Sequence, residues 1–571
     1  MTSFLLIALA AVLGLGALAV RRGRRHALAQ LRLAWGQPVG RERQMDAMAA
    51  SHRSRVAMAG SGSLDARTWA DLDLDAVFAA LDRTASTLGQ HALYHRLRTA
   101  PVAPDLDAFD ALVSRLAADR AARERAQVAL SRLSDPHGYD LWWLARPDGI
   151  DTRPWHVMFP LLTTTTVLLA MLAPFVPPAI PAFVGLFLIN VAVRYLTDRR
   201  LVALAGAFRQ IAPLVTTAGA LRFLDGDDVR PLVAAIQDET PSLRRLRTIS
   251  RWIGGNPLML PMTAGPLVLM ANDVLTVTYE YLNLAFLFDG TGVYLGAREL
   301  RTHHAALLRV VAAMGELDAA ISTASFRAGC GDWARPRFRQ PEQGAELVDL
   351  RHPLVPDAVP NTVSLTAGRG LLITGSNMSG KSTLLRTIGT NAVLAQTLNT
   401  CLASSYDAPV FAVRSCIGRS DDIASGKSYY IAEVEALLEL IEASTDDGAR
   451  LFLLDELFRG TNAVERVAAG QAVLLELLSD ARRPNPHVAI AATHDGELVD
   501  LLPDRYAAFH FGDAIGPEGL TFDHRLRPGP ATTRNAIALL RMHGASPDLV
   551  RRAMACAAML DAQRGTSVAP R

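Results

Sequence analysis

Long uncharged apolar runs mark the first third of the chain. The first extends from Phe4 to Val20 and is about 17 residues long, just enough for a helix to cross a bilayer. Two further runs, 157–173 and 182–193, are separated by a proline-rich stretch that predicts a tight turn between two helices. The pattern predicts a membrane anchor in residues 1–25 and a transmembrane hairpin in residues 155–197, about three membrane helices in all.

Arginines beside these runs predict their orientation. Arg21–Arg25 follows the first run, and Arg153 and Arg194 flank the hairpin. Positive residues stay inside, so both features put the rest of the chain on the cytoplasmic side of the cytoplasmic membrane, which is the inner membrane of a two-membrane cell. A secretory signal would carry its charge before the apolar run, so we predict an uncleaved anchor. A buried or surface helix is the alternative for this run.

The intervening residues have helical periodicity. Residues 26–154 are predicted to form a cytoplasmic helical region, and residues 198–340 a helical core or lever domain. Within the second region, the apolar stretch 256–288 contains Asp273 and Glu280. Charges are costly in lipid, which favours a buried segment of a helical domain over a fourth membrane span.

From Ala345 onward the pattern changes to alternating strands and helices. Leu371–Ile373 predicts a buried strand, and helical spacing resumes at Leu384. Between them the chain fits G-x-x-x-x-G-K-[ST], the phosphate-binding loop of nucleotide hydrolases. Its glycines let the backbone turn tightly and aim N–H groups at phosphate oxygens. The predicted nucleotide-binding residues here are Gly375, Ser376, Asn377, Met378, Ser379, Gly380, Lys381, Ser382 and Thr383.

Two later strands end in polar side chains. The apolar run 450–454 leads into Asp455 and Glu456, and the run 488–492 leads into Thr493 and His494. Lys381 of the phosphate-binding loop is predicted to bind the β- and γ-phosphates. Ser382 of the loop and Asp455 are predicted to bind Mg²⁺. Glu456 is predicted to polarise the attacking water, and His494 to contact either the γ-phosphate or that water.

Composition adds little except at lysine. The net charge of +2 gives no global polycation, and the four cysteines lack zinc-ligand spacing, which predicts free thiols. Among 58 Lys and Arg residues, Lys381 and Lys427 are the two lysines. Lys427 lies in a polar loop whose hydroxyls, glycine and ammonium group also suit a phosphate. The loop residues are Ser425, Gly426, Lys427 and Ser428.

Five segments together resemble the MutS family of DNA mismatch-repair ATPases. Residues 375–383 are similar to the family's G-P-N-M-G-G-K-S-T loop, and 420–428 to its D-D-L-A-S-G-R-S loop. Residues 454–461, 492–498 and 351–355 resemble M-D-E-I-G-R-G-T, A-T-H-Y-F-E-L and R-H-P-V-V. The segments occur in the family's order across about residues 345–560.

The resemblance implies a fold, cofactors and partners. The fold class is an α/β P-loop NTPase, an ABC-type MutS ATPase domain over residues 345–571, preceded by an α-helical region with transmembrane helices. The family implies ATP and Mg²⁺, a homodimer and DNA as a partner. It also implies that Ser425–Ser428 reaches the γ-phosphate bound by the opposite subunit. We expect the C-terminal helix–turn–helix at 535–560 to form a dimer contact rather than a DNA-binding surface.

Departures from the family leave the function open. The N-terminal half has no F-x-E motif of the kind that reads mismatches, and it leaves no room for the long clamp. One hypothesis is therefore a membrane-tethered dimeric ATPase that engages mismatched or branched DNA. A second is an ATP-driven mechanoenzyme that acts on a membrane or protein partner. A third, a scaffold with negligible turnover, fits poorly with the complete hydrolytic set.

Overall fold

The computed structural model contains two compact units. The described residues are Leu18, 21–59, 62–99, 103–146, 153–196, 199–227, 229–253, 266–376, 378–418, 429–445, 448–479, 485–516, 519–531 and 536–566. A helical unit comprises residues up to 61, 81–97 and 103–329, and an α/β unit comprises 62–80, 98–102 and 330 onward. The predicted membrane anchor lies almost wholly outside the described residues.

Besides a helix at 21–34, fifteen α-helices precede residue 330 in the described part of the chain. They are α1 Met45–Ala59, α2 Ala66–Asp71, α3 Leu74–Leu81, α4 Thr87–Arg98, α5 Ala103–Ala118, α6 Arg120–Leu130, α7 Leu141–Leu144, α8 Met158–Leu172, α9 Ala179–Leu196, α10 Arg199–Arg209, α11 Ile211–Ala220, α12 Arg230–Glu239, α13 Arg244–Trp252, α14 Pro266–Phe286 and α15 Phe288–Gly329.

The helical unit is built on α15, which is 42 residues long. Its second half buries an apolar stripe that includes Val310, Met314 and Ile321. Asp318 lies on the same buried face and accepts hydrogen bonds from the backbone N–H of Ser86 at 2.7 Å and from its hydroxyl at 2.6 Å. Asp318 therefore satisfies N–H groups at the beginning of α4, which a helix cannot pair internally.

Two helices, α8 and α9, occupy the residues that the sequence predicts as a transmembrane hairpin. Among the described residues, Pro154–Leu172 and Ala179–Leu196 have the length and apolar composition needed to cross a membrane, and 22% and 11% of them are buried in the protein. Two of their polar side chains bond to α14. Thr163 donates to the carbonyl of Phe286 at 2.7 Å, and Asn190 to that of Ala285 at 2.7 Å. These bonds satisfy carbonyls at the end of α14 that have no partner within the helix.

The α/β unit contains ten strands and six further helices among the described residues. The strands are β1 Arg337–Phe338, β2 Ala345–Leu350, β3 Asn361–Leu365, β4 Gly370–Thr374, β5 Ser405–Ala408, β6 Ala412–Ile417, β7 Arg450–Asp455, β8 Val488–Ala492, β9 Tyr506–Gly516 and β10 Gly519–Pro528. The helices are α16 Lys381–Leu398, α17 Tyr429–Ala443, α18 Ala463–Leu477, α19 Glu497–Leu501, α20 Ala536–Met542 and α21 Pro547–Thr566.

Two mixed sheets organise this unit. The larger has the order β10-β9-β4-β8-β7-β6, in which β10 alone is antiparallel to its neighbour, and the smaller has the order β1-β5-β2-β3. Every residue of β4, β7 and β8 is buried, as expected for strands covered on both faces. The predicted strands at 371–373, 450–454 and 488–492 are confirmed. The hairpin formed by β9 and β10 was not predicted.

An N-terminal segment, residues 62–80, joins the α/β unit and packs on the edge strand β6. Asp71 is buried and accepts hydrogen bonds from the Ser415 hydroxyl at 2.8 Å and the Ile417 N–H at 2.9 Å. Thr68 accepts from the N–H of Ser415 at 3.0 Å. The segment thus pairs an edge whose backbone groups would otherwise be open. These contacts place residues 62–80 in the α/β unit, although the sequence predicted them as part of the helical region 26–154.

Candidate functional site

Three parallel strands bring the predicted residues to one edge of the larger sheet. In the sheet register Ile373 of β4 and Asp455 of β7 both pair with Ala492 of β8. The strands therefore end level with one another, and the residues that follow them meet. Ligands bind at this edge, outside the carboxyl ends of the strands, in open α/β sheets.

The loop between β4 and α16, residues 375–380, has a backbone that its glycines make possible. Gly375 and Gly380 have φ values of +141° and +114°, which residues with a side chain rarely adopt. Gly380 immediately precedes the first residue of α16, Lys381. The N-terminal end of an 18-residue helix therefore opens at this loop and favours an anion there.

Lys381 is buried beneath the loop. Its Nζ donates to the backbone carbonyls of Gly375 at 2.9 Å and Ser376 at 3.0 Å. Burial lowers the pKa of Lys381 below its usual value, although Glu456 and Asp455 oppose that shift. The hydroxyl oxygens of Ser376 and Ser379 are also buried and have no hydrogen-bond partner among the described residues. The loop thus combines a buried ammonium group with two buried hydroxyls that lack partners among the described residues.

Ser382 and Asp455 form the pair that could hold a metal ion. The Ser382 hydroxyl donates to Asp455 Oδ2 at 2.6 Å. Asp455 Oδ1 is buried and has no hydrogen-bond partner in the described part of the chain. Mg²⁺ prefers oxygen ligands and commonly takes one or two from protein, with phosphates and waters completing its octahedron. The donor set therefore fits Mg²⁺. In the residues described, no group of three or more His, Cys, Asp or Glu could hold a metal by itself.

Glu456 is held by two cationic or potentially cationic side chains. Its Oε1 lies 2.7 Å from His494 Nε2, and its Oε2 lies 2.6 Å from Arg459 Nε. Burial alone would raise the pKa of Glu456, but the hydrogen bond and charge of His494, with Arg459 and Lys381, outweigh it and lower the pKa. Glu456 is therefore an ionised carboxylate at neutral pH.

His494 lies between Lys381 and Glu456. Its Nε2 is 3.4 Å from Lys381 Nζ and 2.7 Å from Glu456 Oε1. The nitrogen can donate to Glu456 when it carries a proton and accept from Lys381 when it does not. The backbone supports this position, because the N–H of Thr493 donates to the Ile373 carbonyl at 3.0 Å.

The structure adds residues that the sequence pattern did not single out for the site. Arg459 pairs with Glu456, and Glu433 of α17 accepts the N–H of Phe458 at 2.6 Å, which fixes the turn after Glu456. Arg466 binds Asp495 beside His494 with a closest distance of 2.7 Å. The R-G-T segment signalled Arg459, whereas no local signal marked Glu433.

The structure brings together most of the predicted site residues. Gly375, Ser376, Ser379, Gly380, Lys381 and Ser382 lie with Asp455, Glu456 and His494 at one sheet edge. The side chains of Met378 and Thr383 are exposed, the former 85%. Asn377 and the loop Ser425–Ser428 lie outside the described residues.

Comparison with known proteins gives a partial family resemblance. Residues 371–561 match MutS domain V. The chain is 34% identical over 279 residues to the DNA mismatch repair protein MutS of Thermus thermophilus, which covers 48% of this chain and 33% of that protein. It is 35% identical over 249 residues to MutS of Natronomonas pharaonis, covering 42% of this chain and 28% of that protein. The matches span about a third of the relatives' length. The C-terminal half of this chain thus resembles the MutS family.

Proposed function

We propose that this chain, a partial relative of the MutS proteins, binds ATP with Mg²⁺ and hydrolyses it. The observation that carries the proposal is the convergence at one sheet edge of the glycine loop, the Ser382–Asp455 pair at 2.6 Å and the Glu456–His494 pair at 2.7 Å. A nucleotide hydrolase needs a phosphate cradle, metal ligands and a residue that positions water, and each group has a candidate here.

Binding would use the loop and the first turn of α16. The N–H groups of the loop and the positive end of α16 would face the phosphates, with Lys381 as a compact charge close to them. Lys381 would exchange its bonds to the carbonyls of Gly375 and Ser376 for phosphate oxygens. Ser382 and Asp455 would hold Mg²⁺, which when bound neutralises negative charge on the phosphate oxygens.

Glu456 would position the attacking water. Its lowered pKa makes it a weak proton acceptor and a good hydrogen-bond acceptor, so orientation is its main expected contribution. Each carboxylate oxygen has one partner and a second lone pair, so Glu456 can accept from water while Arg459 stays paired. We propose that ATP binding turns His494 toward the γ-phosphate or the water.

We further propose a homodimer tethered to the cytoplasmic membrane with its ATPase domain on the cytoplasmic side. The MutS resemblance supports the dimer and suggests that Ser425–Ser428 of one subunit completes the site of the other. The apolar composition of α8 and α9 supports the tether, as does the arginine on either side of them. ATP binding would tighten the dimer and hydrolysis would loosen it, so that the attached helices move.

We propose DNA as the partner, because the relatives are named DNA mismatch repair proteins. We propose that this DNA is mismatched or branched. The second candidate is a mechanoenzyme that acts on a membrane or protein partner without reading mismatches. The curated relatives match only part of the chain, and the helical unit contains two apolar helices. These helices favour the second candidate.

The test is DNA binding by full-length Glu456→Gln protein in nanodiscs, with and without Mg²⁺-ATP. Homoduplex, mismatched, branched and single-stranded DNA are compared over a salt series, since phosphate contacts alone weaken steeply with salt. ATP-dependent preference for one structure supports the DNA role. Weak binding that ignores both nucleotide and structure, and disappears with salt, refutes it and favours the second candidate.

A further inference from the structure

The helical unit contains a cavity that the proposed ATPase site does not use. It lies between α1, α4, α7 and α15 and has a volume of about 490 Å³. Ligand pockets in proteins are typically about 300–1,000 Å³, mostly apolar, with a few polar groups. This cavity has that character, because Met58, Trp142, Trp143 and Leu308 contribute to its lining.

Arg55 gives the cavity a buried positive group. Its guanidinium carbon lies 4.4 Å from the centre of the Trp142 ring, and its Nη1 is buried without a hydrogen-bond partner among the described residues. Burial lowers the pKa of Arg55 to about 10, and the nearby charge of Arg96 acts in the same direction. Glu316 opposes the shift, but Glu316 is itself paired with Arg96.

Two more hydrogen-bond donors belong to residues that line the cavity. Trp142 Nε1 and Ser51 Oγ are buried and have no partner in the described part of the chain. Such groups normally find a partner, because leaving one unpaired in the interior costs about 1–3 kcal/mol. Together with Arg55 they form a set of donors that lacks acceptors.

The remaining titratable groups of the lining leave a net positive charge. Asp140 and Arg146 carry opposite charges and both line the cavity. His95 also lines it, and burial together with Arg55 lowers the pKa of His95 to about 2, so its ring is neutral at pH 7. Its Nδ1 lies 2.9 Å from Nδ1 of His52. With Arg55 and Arg146 against Asp140, the lining carries a net positive charge.

We propose that this cavity binds an amphiphilic anion. A phosphate or carboxylate head group would accept hydrogen bonds from Arg55, Ser51 and Trp142. An apolar body would lie along Met58 and Leu308. The same chemistry occurs in a single-chain anionic lipid and in a soluble aromatic phosphate, and the experiment separates these two sources.

The test is calorimetric titration of full-length protein in neutral phosphatidylcholine nanodiscs, with empty nanodiscs as the blank. Octyl phosphate represents the lipid source, and 1-naphthyl phosphate represents the soluble source. Inorganic phosphate lacks the apolar body, and octanol lacks the charge. We expect saturable one-to-one binding of at least one amphiphilic phosphate, with both partial probes at least tenfold weaker. The tighter phosphate identifies the source.

Matched variants separate this site from nonspecific partitioning. Arg55→Met is expected to weaken binding about tenfold or more, because hydrogen bonds to charged groups contribute about 1.5–3 kcal/mol. Arg53→Met removes an exposed arginine from the same helix and should leave affinity unchanged. Ala312→Phe narrows the cavity without changing charge and should also weaken binding, which keeps the test decisive if Arg55→Met does not fold. Absence of saturable binding, or full affinity in both Arg55→Met and Ala312→Phe, overturns the proposal.

Discussion

Substituting Glu456 by glutamine separates nucleotide binding from hydrolysis. The change replaces one carboxylate oxygen by an amide nitrogen and keeps the size of the side chain. The remaining oxygen can still accept from Arg459, now 2.6 Å from Oε2. The Ser382–Asp455 pair and the Lys381 contacts involve other atoms and stay intact. The negative charge that would orient water is lost, together with its attraction to His494 and Arg459.

The expected loss is in turnover. One preorganised polar group contributes roughly 10²–10³-fold to rate, which corresponds to about 3–4 kcal/mol in the barrier. ATP affinity should change by less than about threefold, because the phosphate and metal ligands are unchanged. The variant should therefore accumulate bound ATP and, as a proposed dimer, sediment as the larger species when ATP is present.

Single-turnover ADP formation with enzyme in excess measures the chemical step, and equilibrium dialysis measures ATP binding. Glu442→Gln is the matched control, because Glu442 is an exposed glutamate of α17 whose substitution should leave both quantities unchanged. Turnover at the wild-type rate by Glu456→Gln, with ATP still bound, would refute the assigned role of Glu456.

The remaining predictions concern the loop, the metal pair and the helical unit. Lys381→Ala should abolish ATP binding measured by dialysis; unchanged affinity would remove the phosphate-loop assignment. Asp455→Asn should weaken Mn²⁺ binding by about tenfold or more, because a charged oxygen ligand is lost. Electron paramagnetic resonance in the presence of ATP measures this affinity, and equal affinity in the two proteins would disprove the metal role. Asp318→Ala should lower the free energy of unfolding by about 3–5 kcal/mol, because it leaves the buried donors of Ala85 and Ser86 without an acceptor. A loss below about 1 kcal/mol in urea denaturation would contradict that reasoning. Burial lowers the pKa of His91 to about 3. Between about pH 6.5 and 3, only the unfolded chain therefore binds a proton at this histidine, and the free energy of unfolding should fall by about 1.4 kcal/mol per pH unit. His91→Phe should reduce that slope in urea titrations, the exposed His543→Phe should not, and equal slopes in all three proteins would argue against a neutral buried His91.

Local sequence was sufficient for the centre of the α/β unit. Strands β4, β7 and β8 are continuous apolar runs, which is the pattern of strands buried on both faces. Gly375 and Gly380 occupy positions with positive φ, where a side chain would be strained. Because parallel strands end at one edge, their order in the chain was enough to predict that Lys381, Asp455 and His494 would approach each other.

Other parts of the site depended on tertiary contacts. Glu433 lies in a helix whose sequence offers several similar glutamates, and only the packing of α17 brings this one to the Phe458 N–H. The segment 62–80 reads as an ordinary helical stretch, yet Asp71 pairs with the edge strand β6 more than 300 residues later. No local pattern encodes such partners.

The sequence by itself determined the strand–loop–helix around Lys381, the two apolar helices α8 and α9 and the partial resemblance to MutS, because each depends on neighbouring residues or on a motif of fixed spacing. The tertiary structure decided which donors and acceptors are paired. It placed His494 between Lys381 and Glu456, covered β6 with Asp71, and left Arg55 Nη1 buried in an apolar cavity without a partner among the described residues. Burial and hydrogen bonding depend on chain segments far apart in sequence, and for that reason they emerge only when the chain is folded.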